Sequence, residues 1–210
     1  MGSKSSKVQP AVRPNVKLGS LDILSQYKAI LAEWSGTTDG TVVYDSNVDS
    51  KLAREFYSSV LNKTNIYIIN IDERGYIFGS YFEKVIDKMD VWFYDEKHFI
   101  FSLDSKGLFP APTRWNSKLG EQGGIRLYDK DMNKLYEVGN GEFWSGVRFG
   151  YFTIADINVK NSFNNNISFR YDNIKNTDLN GLNSPNSTFS VERIIVVQMD
   201  QEPIPQTVSN

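Results

Sequence analysis

The stretch NIYIINIDERGYIFGSYF, residues 65–82, decides the fold. Two runs rich in β-branched and aromatic residues flank the polar tetrapeptide Asp72-Glu73-Arg74-Gly75. That pattern predicts a β-hairpin, with Gly75 supplying the positive φ that the turn needs. A second aromatic run, KHFIFSL (Lys97 to Leu103), follows shortly afterwards and predicts a further strand. Neither run holds an obvious reactive group, so both read as scaffold.

Working outward, Leu21, Leu24, Tyr27, Ile30, Leu31 and Trp34 fall at helical spacing. They predict a helix over Leu21 to Trp34, capped by Ser20 and ended by the Gly36 to Gly40 turn. Thr41 to Tyr44 then reads as a short strand. Ser50 opens a second helix, with Leu52, Ala53, Phe56, Tyr57, Val60 and Leu61 on one face. Beyond the hairpin, Gly124–Tyr128 and Leu135–Val138 flank the polar turn DKDMN and predict another hairpin. Phe149 to Ile154 reads as a strand after the glycine-rich loop from Gly139 to Gly146. Residues 161–186 hold nine asparagines in 26 positions and read as long loops around one strand, Ile167 to Arg170. The last strand runs from Thr188 to Met199, where Phe189, Val191, Ile195 and Val197 share parity. About eight strands and two early helices predict an α+β fold, a two-layer antiparallel β-sandwich flanked by helices. The expected organisation is a flexible basic arm over 1–19, one domain over 20–200 and a flexible tail over 201–210.

Composition narrows the function classes. The 28 Phe, Tyr and Trp outnumber the 23 Lys and Arg, so aromatic packing should dominate the core. No cysteine is present, which excludes disulfides, thiolate metal sites and a cysteine nucleophile, and fits a reducing compartment. A net charge of −2 gives no global attraction for nucleic acid or anionic lipid. The charge is unevenly placed, however. Residues 1–18 carry Lys4, Lys7, Arg13 and Lys17 with no acid, leaving −6 on the rest. No apolar run approaches the roughly 20 residues of a membrane span, and no apolar signal core is present. Membrane insertion is therefore not expected, and the cytoplasm is the expected compartment, with the nucleus as a second.

The candidate chemical motifs have plain explanations. His98, the single histidine, sits in a predicted strand and alternates away from Phe99 and Phe101, towards solvent or a second layer. Asp45, Asn47 and Asp49 open a calcium-loop spacing, but Ser50 and Phe56 stand where that loop needs glycine and glutamate. Asp129, Asp131 and Asn133 repeat the pattern and fail at Lys134 and Asn140. Turn chemistry accounts for both. Glu142 and Asp156 could serve as an acid–base pair only if the fold brought them together. No metal, cofactor or catalytic residue is expected, and the chain reads as a non-enzyme. The alternative is a stress-responsive, sequence-specific DNA-binding regulator of transcription. There Lys4, Lys7, Arg13 and Lys17 would neutralise phosphates beside the folded domain.

The order of motifs resembles the TLDc family, the domain of oxidation-resistance proteins and of some TBC-domain proteins. The 65–82 hairpin is similar to that family's strand–turn–strand ending in a Phe-Gly-Ala-like step, here Phe78-Gly79-Ser80. HFIFSL resembles its Phe-Leu-Phe-Thr/Ser-Leu strand, and Arg114-Trp115-Asn116 its short tryptophan motif. Arg148-Phe149-Gly150, Ser168-Phe169 with Asn173, and Phe189-Ser190-Val191-Glu192 match its later elements. Glu96 is displaced from the family's Gly-Glu position, and Val197-Gln198 replaces a closing Trp-Gly. The resemblance implies a two-sheet sandwich flanked by helices and a link to oxidative stress. It also implies a protein partner, with subunits of the vacuolar proton pump as the candidate, because several relatives associate with that pump. Phe143, Trp144 and Arg148, loop residues of types enriched at interfaces, are the candidate partner contacts. Glu192 joins them as a carboxylate in an otherwise apolar strand, which calls for a partner.

Overall fold

A computed structural model describes residues 16–118, 123–129, 133–140, 150–182 and 187–200. The chain begins with β1 (Val16–Lys17), a 3-10 turn, then the helices α1 (Asp22–Ser25) and α2 (Lys28–Ser35). Strand β2 (Gly40–Asp45) and helix α3 (Ala53–Val60) precede the hairpin of β3 (Ile66–Asp72) and β4 (Ile77–Phe82). There follow β5 (Phe93–Tyr94), β6 (Phe99–Asp104) and β7 (Thr113–Asn116). The chain continues through β8 (Gly124–Leu127), β9 (Lys134–Asn140), β10 (Gly150–Ala155) and β11 (Phe163–Asn165), and closes with β12 (Val191–Met199).

These strands form two antiparallel sheets. One has seven strands in the order β1-β2-β12-β3-β4-β6-β7, the other five in the order β11-β10-β9-β8-β5. The expected hairpin is present, with Gly75 at φ +81° and the Asp72 carboxylate accepting from the Arg74 and Tyr76 amides at 3.0 Å each. It occupies the middle of the larger sheet, where both faces are covered. Ile68, Phe78, Ile100, Ile194 and Val196 point inward, against Ile125, Tyr136, Val138, Phe152 and Ile154 of the smaller sheet. Tyr67, Ile69, Tyr81, Phe99 and Phe101 point outward, under Leu24 and Leu31 of the helices. The central strands are therefore buried on both sides, and each large side chain removed from water contributes about 1.5–3 kcal/mol before entropy is counted. The second face is what the helices are for: the Tyr67 hydroxyl donates to the Leu31 carbonyl at 2.8 Å, tying α2 to the sheet. Helix α3 closes the sandwich core, its Phe56 stacked on Tyr136 at 5.3 Å.

Three local readings need correction. The helix expected over Leu21–Trp34 is broken at Gln26–Tyr27, and Leu21 rather than Ser20 is the residue ahead of α1, without a side-chain cap. Ser50 likewise precedes α3 by a turn, its hydroxyl accepting from the Leu52 amide at 3.3 Å. The strand expected at Ile167–Arg170 is a 3-10 turn, Ile167–Phe169. It is entered through left-handed Asn166 and held by the Asn176 side chain, which accepts from the Ser168 amide. The asparagines thus make the turn themselves, and the strand lies just upstream as β11.

The fourth difference concerns parity in β12. Val191 pairs with Asp72 and Arg193 with Ile71, so Glu192 is the extra residue of a β-bulge. The bulge flips the alternation: Val191, Ile194 and Val196 face the sandwich core, whereas Ile195 and Val197 lie under the helices. Phe189 and Val191 therefore do not share a face with Ile195 and Val197.

Candidate functional site

The inner face of the larger sheet carries the one histidine. His98 is 1 % exposed and stacks on Phe82 with ring centres 4.5 Å apart. A carbonyl can only accept, so Nδ1–H donates to the Tyr81 carbonyl at 2.9 Å, which leaves Nε2 bare to accept from the Tyr171 hydroxyl at 2.7 Å. Both ring nitrogens are committed to internal bonds in the neutral tautomer. Burial pushes the imidazole pKa down to about 4, against a smaller opposing pull from the Tyr81 bond and Asp95. His98 is thus buried in the second layer and does not reach solvent.

The buried carboxylates are committed too. Asp45 accepts Arg193 through Nε and a second nitrogen at 2.9 and 2.6 Å, and also accepts the Asn47 amide at 3.0 Å. Asp49 accepts the Asp45 amide at 2.8 Å, so the Asp45-Asn47-Asp49 spacing is turn chemistry. Glu137 accepts the Tyr128 hydroxyl, the Thr153 hydroxyl at 3.0 Å and the Lys134 ammonium at 2.8 Å. Among the described residues no group of three or more His, Asp or Glu is placed to hold a metal ion. Asp156 is half-buried after β10, near Tyr57, while Glu142 lies outside the described residues.

Asp95 has a different task. It is 2 % exposed, and its carboxylate accepts the backbone amides of Glu83, Lys84 and Lys97 at 2.6, 3.0 and 3.0 Å. This clamps the end of β4 to the turn that leads into β6. On the outer face above it, Tyr81 and Phe99 stack at 5.0 Å, and Trp34 of α2 meets Phe99 edge-on at 6.0 Å. Arg114 of β7 lays its guanidinium over Phe99 at 4.9 Å and donates to the Trp34 carbonyl at 3.0 Å. The result is an open groove of about 470 Å³. Its floor is the Tyr81–Phe99 pair, and its walls are the C-terminal turn of α2 and the Glu96–Lys97 turn. Lys97 is paired with Glu83 at 2.6 Å, whereas Glu33 and Glu96, both exposed, have no ion-pair partner among the described residues.

The residues singled out from sequence do not form this site. Phe143, Trp144 and Arg148 lie outside the described residues, as do Lys4, Lys7 and Arg13. Lys17 is on the edge strand β1 and pairs with Asp200 at 3.1 Å. Glu192 is exposed at its bulge in β12. Lys17 and Glu192 lie at opposite ends of the β12 ladder and are not neighbours. What sequence reasoning missed is the groove. Trp34 read as a core position of a helix, Arg114 as part of a motif and Glu96 as a displaced family acid. Only the packing of α2 across β6 brings them together.

A two-sheet antiparallel sandwich of this connectivity, with helices on the outer face of the larger sheet, defines the class of domain. The chain belongs to the TLDc domain family, whose model matches residues 17–194. That family is linked to oxidative stress. No curated protein matches the chain. Among the described residues no helix is long and apolar enough to cross a membrane.

Proposed function

We propose that the protein acts in the oxidative-stress response as a non-enzymatic protein-interaction domain. Its candidate partner is the vacuolar proton pump, to which the family resemblance points. The observation that supports an interaction role is the groove beside α2. Its floor and walls are held by Asp95, the Tyr81–Phe99 stack and the Arg114–Trp34 bond, while two carboxylates at its rim face solvent with no ion-pair partner among the described residues. A braced surface of this kind costs little ordering entropy on association. The imidazole and the buried carboxylates, in contrast, serve the fold.

The test is co-immunoprecipitation of the tagged chain with peripheral subunits of the pump, from cells with and without peroxide treatment. Enrichment over an untagged control, raised by peroxide, is the expected result. Recovery equal to the control under both conditions would remove the pump as partner.

A further inference from the structure

From the charges left open around the groove, we infer that it receives a basic side chain, arginine or lysine, carried on a peptide segment of a protein partner. This assignment rests on the protein-interaction reading above and supplies its ligand chemistry. Among the described residues, once Lys97 is neutralised by Glu83, the rim holds Glu33 and Glu96 against the single cation Arg114. An anion entering here meets two carboxylates, whereas a cation meets two attractive partners. The C-terminal turn of α2 forms one wall, and the negative end of a helix favours positive charge.

Arg114 shows within the molecule how such a ligand is seated. Its guanidinium lies on an aromatic ring and donates to a carbonyl of that same helix turn. One of its nitrogens is used for the Trp34 carbonyl, so the rest of the fork remains for an incoming backbone carbonyl. Arg114 and Asn116 are both exposed on β7, the last strand of its sheet; the Asn116 carbonyl already accepts the Asp172 amide at 3.0 Å, so an extended segment can lie beside Arg114 and end before Asn116. A peptide would thus give its backbone oxygen to Arg114 and its basic side chain to Glu33 and Glu96.

The probe is a nine-residue Gly/Ser peptide with one central arginine, acetylated and amidated, titrated into the full chain and followed by amide and indole NMR shifts. A second peptide replaces arginine with citrulline, which keeps the shape and removes the charge. Saturable shifts at the Trp34 indole and the Gly36 amide with the arginine peptide, absent with citrulline, are expected. Glu33→Gln and Glu96→Gln should each weaken binding by roughly fivefold, the upper end of what an exposed ion pair supplies. Equal shifts with citrulline, or shifts confined to other residues, overturn the assignment.

Two other occupants are distinguished in the same experiment. Movement of the Trp34 indole on Lys4→Gln/Lys7→Gln/Arg13→Gln substitution, without peptide, would mean that the chain's own N-terminal residues fill the groove. Shifts that depend on protein concentration would mean a second copy. Either result overturns a separate partner. Recovery of pump subunits by the Glu33→Gln/Glu96→Gln variant at the wild-type level would overturn the groove while leaving the interaction function standing. Absence of recovery with wild type, beside intact peptide binding, would remove the pump and keep the groove.

Discussion

Acidification should weaken this protein through His98 before it titrates most carboxylates. In the folded state the ring is neutral, with a pKa near 4, because it is fully enclosed between Phe82 and Tyr171. In the unfolded chain it returns to the ordinary value of 6.5. Above pH 6.5 neither state binds the proton, and the full stability is present. As pH falls below 6.5 the unfolded state takes up the proton and the folded state does not, so stability declines until the folded ring titrates near 4. Linkage makes the loss about 2 kcal/mol at pH 5 and about 3 kcal/mol at pH 4. Against a total of roughly 5–15 kcal/mol for a typical domain, that is a large share.

The assay is urea unfolding of wild type and His98→Gln at several pH values from 7.5 to 5. The two proteins differ only at residue 98, so the difference between the two curves reports the imidazole. Wild type should exceed the variant at pH 7.5, and that margin should shrink by about 2 kcal/mol by pH 5. A margin that stays flat across this range would refute the reasoning. So would imidazole nitrogen shifts showing the proton on Nε2, because only an Nδ1–H can donate to the Tyr81 carbonyl.

Three further outcomes follow from the packing of the larger sheet. In Gly79→Ala the new Cβ would stand 2.0 Å from the Ile68 carbonyl oxygen of the neighbouring strand, so the sheet must open. A stability loss of about 1–3 kcal/mol or more is expected by thermal unfolding. Arg193→Met leaves Asp45, 1 % exposed, without its bidentate guanidinium. That should cost about 3–5 kcal/mol in a urea titration. Ser80→Ala removes a buried hydroxyl that has no hydrogen-bond partner among the described residues, so stability should hold or rise by up to about 1 kcal/mol in the same titration.

The parts of the fold that were legible in the sequence are those specified locally. The 65–82 hairpin shows in strand composition, an Asp–Gly turn and a small residue where strands approach, all within eighteen positions. The β12 bulge shows in none of these. Glu192 stands with Arg193 ahead of an apolar run, and a polar residue there reads equally as a surface position or a buried functional acid. Only pairing with β3, more than a hundred residues earlier in the chain, reveals the extra residue. The asparagine-rich segment misled for the opposite reason. Its short apolar run at Ile167 to Phe169 suggests a strand, yet Asn166 and Asn176 impose a turn. The groove was out of reach because its residues come from α2, β4, the turn before β6, and β7. Each has a sufficient local explanation, so none stands out singly.

The same packing links the buried layer to the surface. Tyr81 gives its carbonyl to His98 on the inner side of β4 and its ring to Phe99 on the outer side. Asp95, just ahead in the β5–β6 turn, holds the wall that carries Glu96 and Lys97. A polar core of this kind does little for net stability by itself, since each bond replaces one to water. Its consequence is positional: with both nitrogens of His98 engaged, β4 and β6 have one relative arrangement, and the groove floor has one shape. Protonation or loss of His98 should therefore disturb the Trp34 and Phe99 environment on the opposite face. The buried histidine acts at the surface by fixing the strands beneath it.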